Sequence, residues 1–204
     1  MSSAELSSDS SLLEAAREGH GESFAVLFDR HRGRVFRHVI HVVRDPDIAD
    51  EITAMVFYEA WRRNGSIRVV DGSIVAWLLL TANYTIKNVT RQQRRYATFL
   101  AHLPAPEHVR DVANEVVDDD ALTTERQHIR QAFGRLKATH RNVLTLCVLE
   151  EFSTRDAASA LQVAEGTVKS RLSRAKETLR KHYVAQSNTG TSERNCALSE
   201  GRAQ

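Results

Sequence analysis

The chain has 204 residues, with 28 Lys and Arg against 26 Asp and Glu and a formal net charge of +2. That length allows one or two small domains with real cores, and the near-neutral balance does not by itself announce a nucleic-acid partner. The distribution of the charge is therefore the informative property. Residues 1–21 are rich in Ser and acids and read as a flexible N-terminus. They have no basic stretch followed by an apolar core, so no signal peptide is expected. The longest apolar run, residues 74–80, is too short to span a bilayer. Cys147 and Cys196 are too few and too far apart for a disulfide framework or a zinc site. Cys147 fits a small core residue, while Cys196 sits in a polar tail as a plain or a reactive thiol. His31, His38 and His41 would share one helix and read as surface histidines. No metal and no cofactor are expected, and the chain reads as cytoplasmic.

Residues 22–100 read as helix throughout, forming a first domain. Phe24, Leu27, Phe28, Val35, Phe36, Val39 and Ile40 recur at helical intervals. Asp45-Pro46 punctuates, and Asp45 or Asp47 can cap the next helix. That helix runs over residues 48–63 until Asn64-Gly65 breaks it. A loop follows to Ser73, and residues 74–97 give a last helix with an apolar start and a basic end. Its end carries Lys87, Arg91, Arg94 and Arg95 with no acid nearby. Residues 101–124, with Pro104, Pro106 and the acids Glu107, Asp111, Glu115, Asp118, Asp119 and Asp120, predict a flexible acidic linker.

A second domain is expected over residues 125–183. Ile129, Ala132, Phe133 and Leu136, then Val143, Leu144, Leu146, Cys147 and Leu149, supply helices that bury apolar backs. Residues 154–161 read as a short helix with Ser153 as N-cap and small residues Ala157, Ala158 and Ala160 for a close crossing. Residues 162–164 connect it to a basic helix. There, at about 100° per residue, Val168, Leu172, Ala175 and Leu179 form one apolar stripe. Lys169, Ser170, Ser173 and Arg174 lie opposite, with Arg171 on a flank. A short helix, a tight connector and a basic second helix make a helix-turn-helix, whose front suits the major groove. Residues 184–204 have no periodic apolar face and predict a disordered tail. The fold class is all-α: two small helical domains joined by a flexible acidic linker, the second a helix-turn-helix domain.

The run Gly-Thr-Val-Lys-Ser-Arg-Leu-Ser-Arg-Ala over residues 166–175 resembles the C-terminal domain of bacterial extracytoplasmic-function (group 4) sigma factors of the sigma-70 family. It is preceded by Leu-Lys-Ala-Thr-His-Arg-Asn-Val-Leu over residues 136–144, in the family's order. The resemblance implies that this domain reads the −35 promoter element. Lys169, Ser170, Ser173 and Arg174 would face bases, and Thr167, Arg171 and Lys176 would hold phosphates. Residues 48–61 occupy the place of the family's acidic helix that grips the β′ clamp helices of RNA polymerase. Asp50, Glu51, Ile52, Met55, Phe57 and Trp61 would make that contact. Glu51 stands for the family's Asp, while Ala54 and Met55 replace its usual Gln and Glu. Residues 76–95 correspond to the family's −10 helix, implying DNA contacts by Asn83, Tyr84, Lys87, Asn88, Arg91, Arg94 and Arg95. A base pocket would lie between this helix and the loop of residues 64–73. Tyr84 stands where the family commonly has Asn, so it either stacks on a base or is a partly buried structural side chain.

The resemblance covers residues 22–183 and implies a sigma factor. Such a chain binds core RNA polymerase through the β′ clamp helices and β flap, directs it to −35/−10 promoters and assists their melting. It is no enzyme and inserts in no membrane, and an anti-sigma factor is an expected partner. A stand-alone helix-turn-helix regulator binding duplex DNA without polymerase would explain the C-terminal half but not residues 24–95. An enzyme or ligand-binding helical protein would show a phosphate loop, a nucleophile elbow or paired carboxylates in an apolar setting, and the sequence has none of these.

Overall fold

The computed structural model describes residues 8–101 and 121–200, which fold as eight α-helices. The first domain packs α1 (Asp9–Arg17), α2 (Gly21–Val43), α3 (Pro46–Arg62) and α4 (Val75–Ala101) around one core. Leu13, Leu27, Val35, Val39, Ile52, Val56, Ile74 and Leu78 are among its fully buried members. Asp45 caps α3 as expected, its carboxylate accepting from the Asp47 and Ile48 N–H groups at 3.0 Å, with Pro46 in the first turn. Between α3 and α4, Asp71 (φ 51°) and Gly72 (φ 71°) form the centre of a tight turn closed by paired Val70 and Ser73 bonds. Two successive positive φ values are the signature of a type I′ turn, which Gly adopts without strain.

The second domain contains α5 (Ala121–Gly134), α6 (Ala138–Leu144), α7 (Thr154–Leu161) and α8 (Glu165–Glu200). Leu136, Val143, Leu144, Leu146, Ala157, Ala158, Val168 and Ala175 form its core, with Leu172, Leu179 and Cys147 packed against it. Ser153 caps α7 by accepting from the Asp156 N–H at 3.0 Å. Gln162 leaves α7 in the left-handed conformation (φ 56°), and only Val163 and Ala164 separate it from α8. Burial pushes the Cys147 thiol pKa up, consistent with its reading as a quiet core thiol.

Four expectations are corrected. Residues 9–17 are not a flexible lead: α1 buries Leu12, Leu13 and Ala16 in the first core. His31 and His38 are not surface histidines but 7% and 8% exposed, each bonded to a polar partner on another helix. Ile129 and Leu149 do not bury their side chains, being 46% and 57% exposed. The cause at Leu149 is a π-turn over Thr145–Leu149, which adds a residue to the turn and rotates the face outward. Residues 184–200, expected to be disordered, continue α8 as helix to Glu200. Once the packed part of α8 has nucleated it, each further residue adds one hydrogen bond without a new nucleation cost. The side chains of Arg94 and Cys196, and residues 102–120 of the linker, lie outside the described residues.

Candidate nucleic-acid interface

The basic face of α8 is built as its sequence predicts. Val168 and Ala175 are fully buried, while Lys169, Ser170, Ser173, Arg174 and Lys176 are exposed and Thr167 and Arg171 half-buried. The helix start is fixed by Glu165, which accepts from Thr154 Oγ1 at 2.7 Å and pairs with Lys169 at 2.8 Å. Those bonds, Lys169 first, hold the Glu165 carboxyl below its ordinary pKa. Because both side chains are largely exposed, the Lys169 pair is weak and can be exchanged for a DNA contact. The His140 imidazole is held below its ordinary pKa by burial and by Lys137, Arg174 and Arg171. A cationic field therefore surrounds the front of this helix, as phosphate approach requires.

A second cationic surface lies on α4. Tyr84, Lys87, Asn88, Arg91 and Arg95 are all exposed and fall within one stripe at helical spacing. Tyr84 is 53% exposed, so it is not a core tyrosine. Asn83 is different: it is 3% exposed, and His38 Nε2 donates to its Oδ1 at 3.0 Å. Burial holds the His38 pKa below its ordinary value, with the Asn83 bond and Glu150 opposing and His41 and Arg141 adding to the effect. Lys87, Arg91 and Arg95, with Arg130 and Arg141 of the second domain, line a cleft of about 1050 Å³ that has no carboxylate among its described lining residues.

The third surface is on α3. Glu51, Ala54, Met55 and Tyr58 form one exposed stripe, with Asp50 beside it and Trp61 44% exposed at its end. Asp50 meets Arg32 at 3.4 Å, with both side chains more than half exposed. Ile52 and Phe57, expected at the same contact, are 0% and 3% exposed and belong to the core. Phe57 packs edge-on against Phe28 with ring centroids 4.8 Å apart, while Trp61 packs on Phe24 at 5.1 Å. Ile52 and Phe57 lie one and six residues after Glu51 on α3, which turns them inward. Tyr58, which the sequence reading leaves out, lies two helical turns after Glu51 and so falls on the exposed stripe. Its exposure of 66% makes it the most accessible aromatic on that helix.

Two family models match the chain: sigma-70 region 2 over residues 27–96 and sigma-70 region 4 over residues 126–179. The chain is 29% identical over 161 residues to the ECF RNA polymerase sigma factor SigK of Mycobacterium sp. (strain KMS), covering 79% of this chain and 83% of that protein. It is also 29% identical over 182 residues to SigK of Mycobacterium bovis (strain BCG / Pasteur 1173P2), covering 86% and 94%. Among solved structures, CnrH in complex with the cytosolic domain of CnrY has the same fold, with a TM-score of 0.57 and 19% identity. That match covers 88% of this chain and 99% of CnrH. Among the described residues, no helix is long and apolar enough to cross a membrane.

Proposed function

The chain belongs to the sigma-70 family, in its extracytoplasmic-function branch, and from that premise we propose that it binds core RNA polymerase, directs it to −35/−10 promoters and assists their melting. The observation that carries this reading is the division of one chain into three faces of different chemistry: basic α8, cationic and aromatic α4, and acidic and apolar α3. Residues 125–183 read the −35 element, residues 22–100 hold polymerase and the −10 element, and residues 101–124 join them. Lys169, Ser170, Ser173 and Arg174 reach base edges, whereas Thr167, Arg171 and Lys176 hold phosphates. Lys87, Asn88, Arg91, Arg94 and Arg95 track the −10 strand, and Asn83 and Tyr84 receive an unstacked base. Glu51, Asp50, Met55, Tyr58 and Trp61 meet the β′ clamp helices. The β flap is the second polymerase contact, and an anti-sigma protein covering these surfaces is the expected inhibitor. The chain performs no catalysis and works in the cytoplasm. Transcription in vitro with purified core polymerase tests the whole reading. RNA should start at a defined promoter only when this chain is added, and equal transcription without it would overturn the assignment.

The division of labour on α8 has its own test. Arg174→Ala should cost about 1–3 kcal/mol and relax preference at one −35 position, as for a lost base contact. Arg171→Ala should instead weaken binding evenly across sequences and flatten the salt dependence. Affinities measured on a −35 library at several salt concentrations separate the two. A uniform loss in both variants would show that neither side chain reads a base.

A further inference from the structure

Helix α1 holds the loop of residues 64–73 at both of its ends. At the α1 C-terminus, the Arg17 guanidinium donates to the Asn64 carbonyl through Nε at 3.1 Å and Nη2 at 2.9 Å. The same Nη2 also donates to the Ile67 carbonyl at 3.2 Å. These two carbonyls bracket a single 3-10 turn over Asn64–Ser66, whose own bond from the Ile67 N–H to the Asn64 carbonyl is long at 3.3 Å. At the α1 N-terminus, Asp9 Oδ2 accepts from Ser73 Oγ at 2.8 Å and from the Ile74 N–H at 2.9 Å. Ser73 Oγ in turn accepts from the Val75 N–H at 3.2 Å, so this anchor also fixes the start of α4. Asp9 and Arg17 stand about 12 Å apart along the axis of α1. Between the two anchors, Ile67 and Val70 are buried, whereas Arg68, Asp71 and Gly72 face solvent. The exposed tip of the loop is therefore carried on a frame that runs through α1.

We propose that Arg17 is a positioning residue for −10 base selection, α1 acting as a splint that fixes the loop of residues 64–73 as the wall an unstacked base meets. The proposal rests on the reading of that loop and Tyr84 as the base pocket. Arg17 is itself exposed, so it contributes little to the core. Pinning an exposed arginine costs side-chain entropy, and what the three bonds gain is order in the loop. A guanidinium suits the task because its planar fork reaches two acceptors in fixed geometry, whereas an ammonium is a single point. Order matters here because base selection is hydrogen-bond readout, which weakens steeply with distance and angle. A loop displaced by about 1 Å still admits a base but no longer separates one base from another.

Holoenzyme assembled from the full chain and core polymerase tests this on promoters varied at each −10 position, with permanganate reactivity reading the open complex. The parent chain should favour one base at one position, and equal opening of every promoter would remove the base-pocket reading and the splint with it. Where the parent discriminates, Arg17→Ala should reduce the ratio of preferred to rejected bases about tenfold, as for lost charge-assisted bonds. Polymerase capture and −35 affinity should not change, and melting curves keep each comparison at a temperature where the variant is folded. Arg17→Lys keeps the charge without the fork and should lose most of the same ratio. Gly65→Ala stiffens the loop by another route: it has an ordinary backbone angle, and a Cβ there meets nothing within 4 Å. Added to Arg17→Ala, it should restore much of the discrimination, which a general loss of stability or of charge could not explain. An unchanged ratio in Arg17→Ala overturns the splint. So does full retention in Arg17→Lys, or an equal loss on all promoters with a flatter salt dependence, since either marks a phosphate contact. No recovery in the double variant would show that Arg17 acts other than by ordering the loop, and would overturn it too.

Discussion

Asp9→Ala is expected to destabilise the first domain by about 3–5 kcal/mol, the usual cost of removing one partner from a buried charged network. Asp9 is only 3% exposed, yet its carboxylate accepts from Arg30 at 2.7 Å, His31 at 2.7 Å, Ser73 Oγ at 2.8 Å and the Ile74 N–H at 2.9 Å. Truncation would leave His31 Nε2 and the Ile74 N–H buried without that acceptor. Burial alone would raise the pKa of this carboxyl, but the bonds from His31, Ile74 and Arg30 outweigh it and hold the pKa well below the usual carboxylate range. The sign of the pH dependence follows. A depressed native pKa stabilises the fold fully above the ordinary carboxylate value, and the contribution is lost progressively as pH falls below that value toward the native one. Asp9→Ala should therefore flatten the acid limb of the stability profile as well as lower its plateau. Urea unfolding followed by tryptophan fluorescence measures both, because Trp61 and Trp77 are the chain's two tryptophans and both lie in the first domain. An unchanged midpoint at neutral pH would mean that the Asp9 network contributes nothing to the stability of the fold.

This network also shows where the sequence stops being informative. Residues 9–17 hold only two large apolar side chains, Leu12 and Leu13, so the helical spacing they make with Ala16 is too short a pattern to mark them as part of a core. What fixes α1 is remote: Asp9 reaches Ser73 and Ile74, and Arg17 donates to the Asn64 carbonyl at 2.9 Å and the Ile67 carbonyl at 3.2 Å. Helix α1 thereby ties down the loop proposed as one wall of the base pocket. Asn83, Asn142 and His38 repeat the lesson. Each reads locally as a solvated polar residue of a helix, and only the meeting of α2, α4 and α6 buries them together. The packing of α8, by contrast, is legible to the residue, written in a single period of 3.6 with Val168 and Ala175 inward and Ser173 and Arg174 outward. The π-turn at Thr145–Leu149 had no such signal, since a continuous apolar run fits a regular helix equally well.

Glu51→Arg should weaken assembly with core polymerase by roughly 30-fold, about 2 kcal/mol, by placing a cation where the complementary partner is basic. Glu51 is exposed and makes no bond that the fold needs, so thermal stability should stay close to that of the parent. DNA binding by α8 should also be unaffected, because the substitution lies on a different domain. Tyr58→Ala should act the same way through lost aromatic contact, since Tyr58 is 66% exposed on the same stripe. Phe57→Ala supplies the contrast. Its ring is packed on Phe28 inside the core, so truncation should cost about 3–5 kcal/mol of stability. Any loss of assembly in Phe57→Ala should then follow the fraction unfolded and disappear at a temperature where the variant is fully folded. Glu51→Arg and Tyr58→Ala should keep their defect at every temperature. Pull-down of core polymerase alongside melting curves for the three variants distinguishes a contact from a scaffold. Normal capture by folded Glu51→Arg would move the polymerase contact away from the acidic, N-terminal end of the α3 stripe.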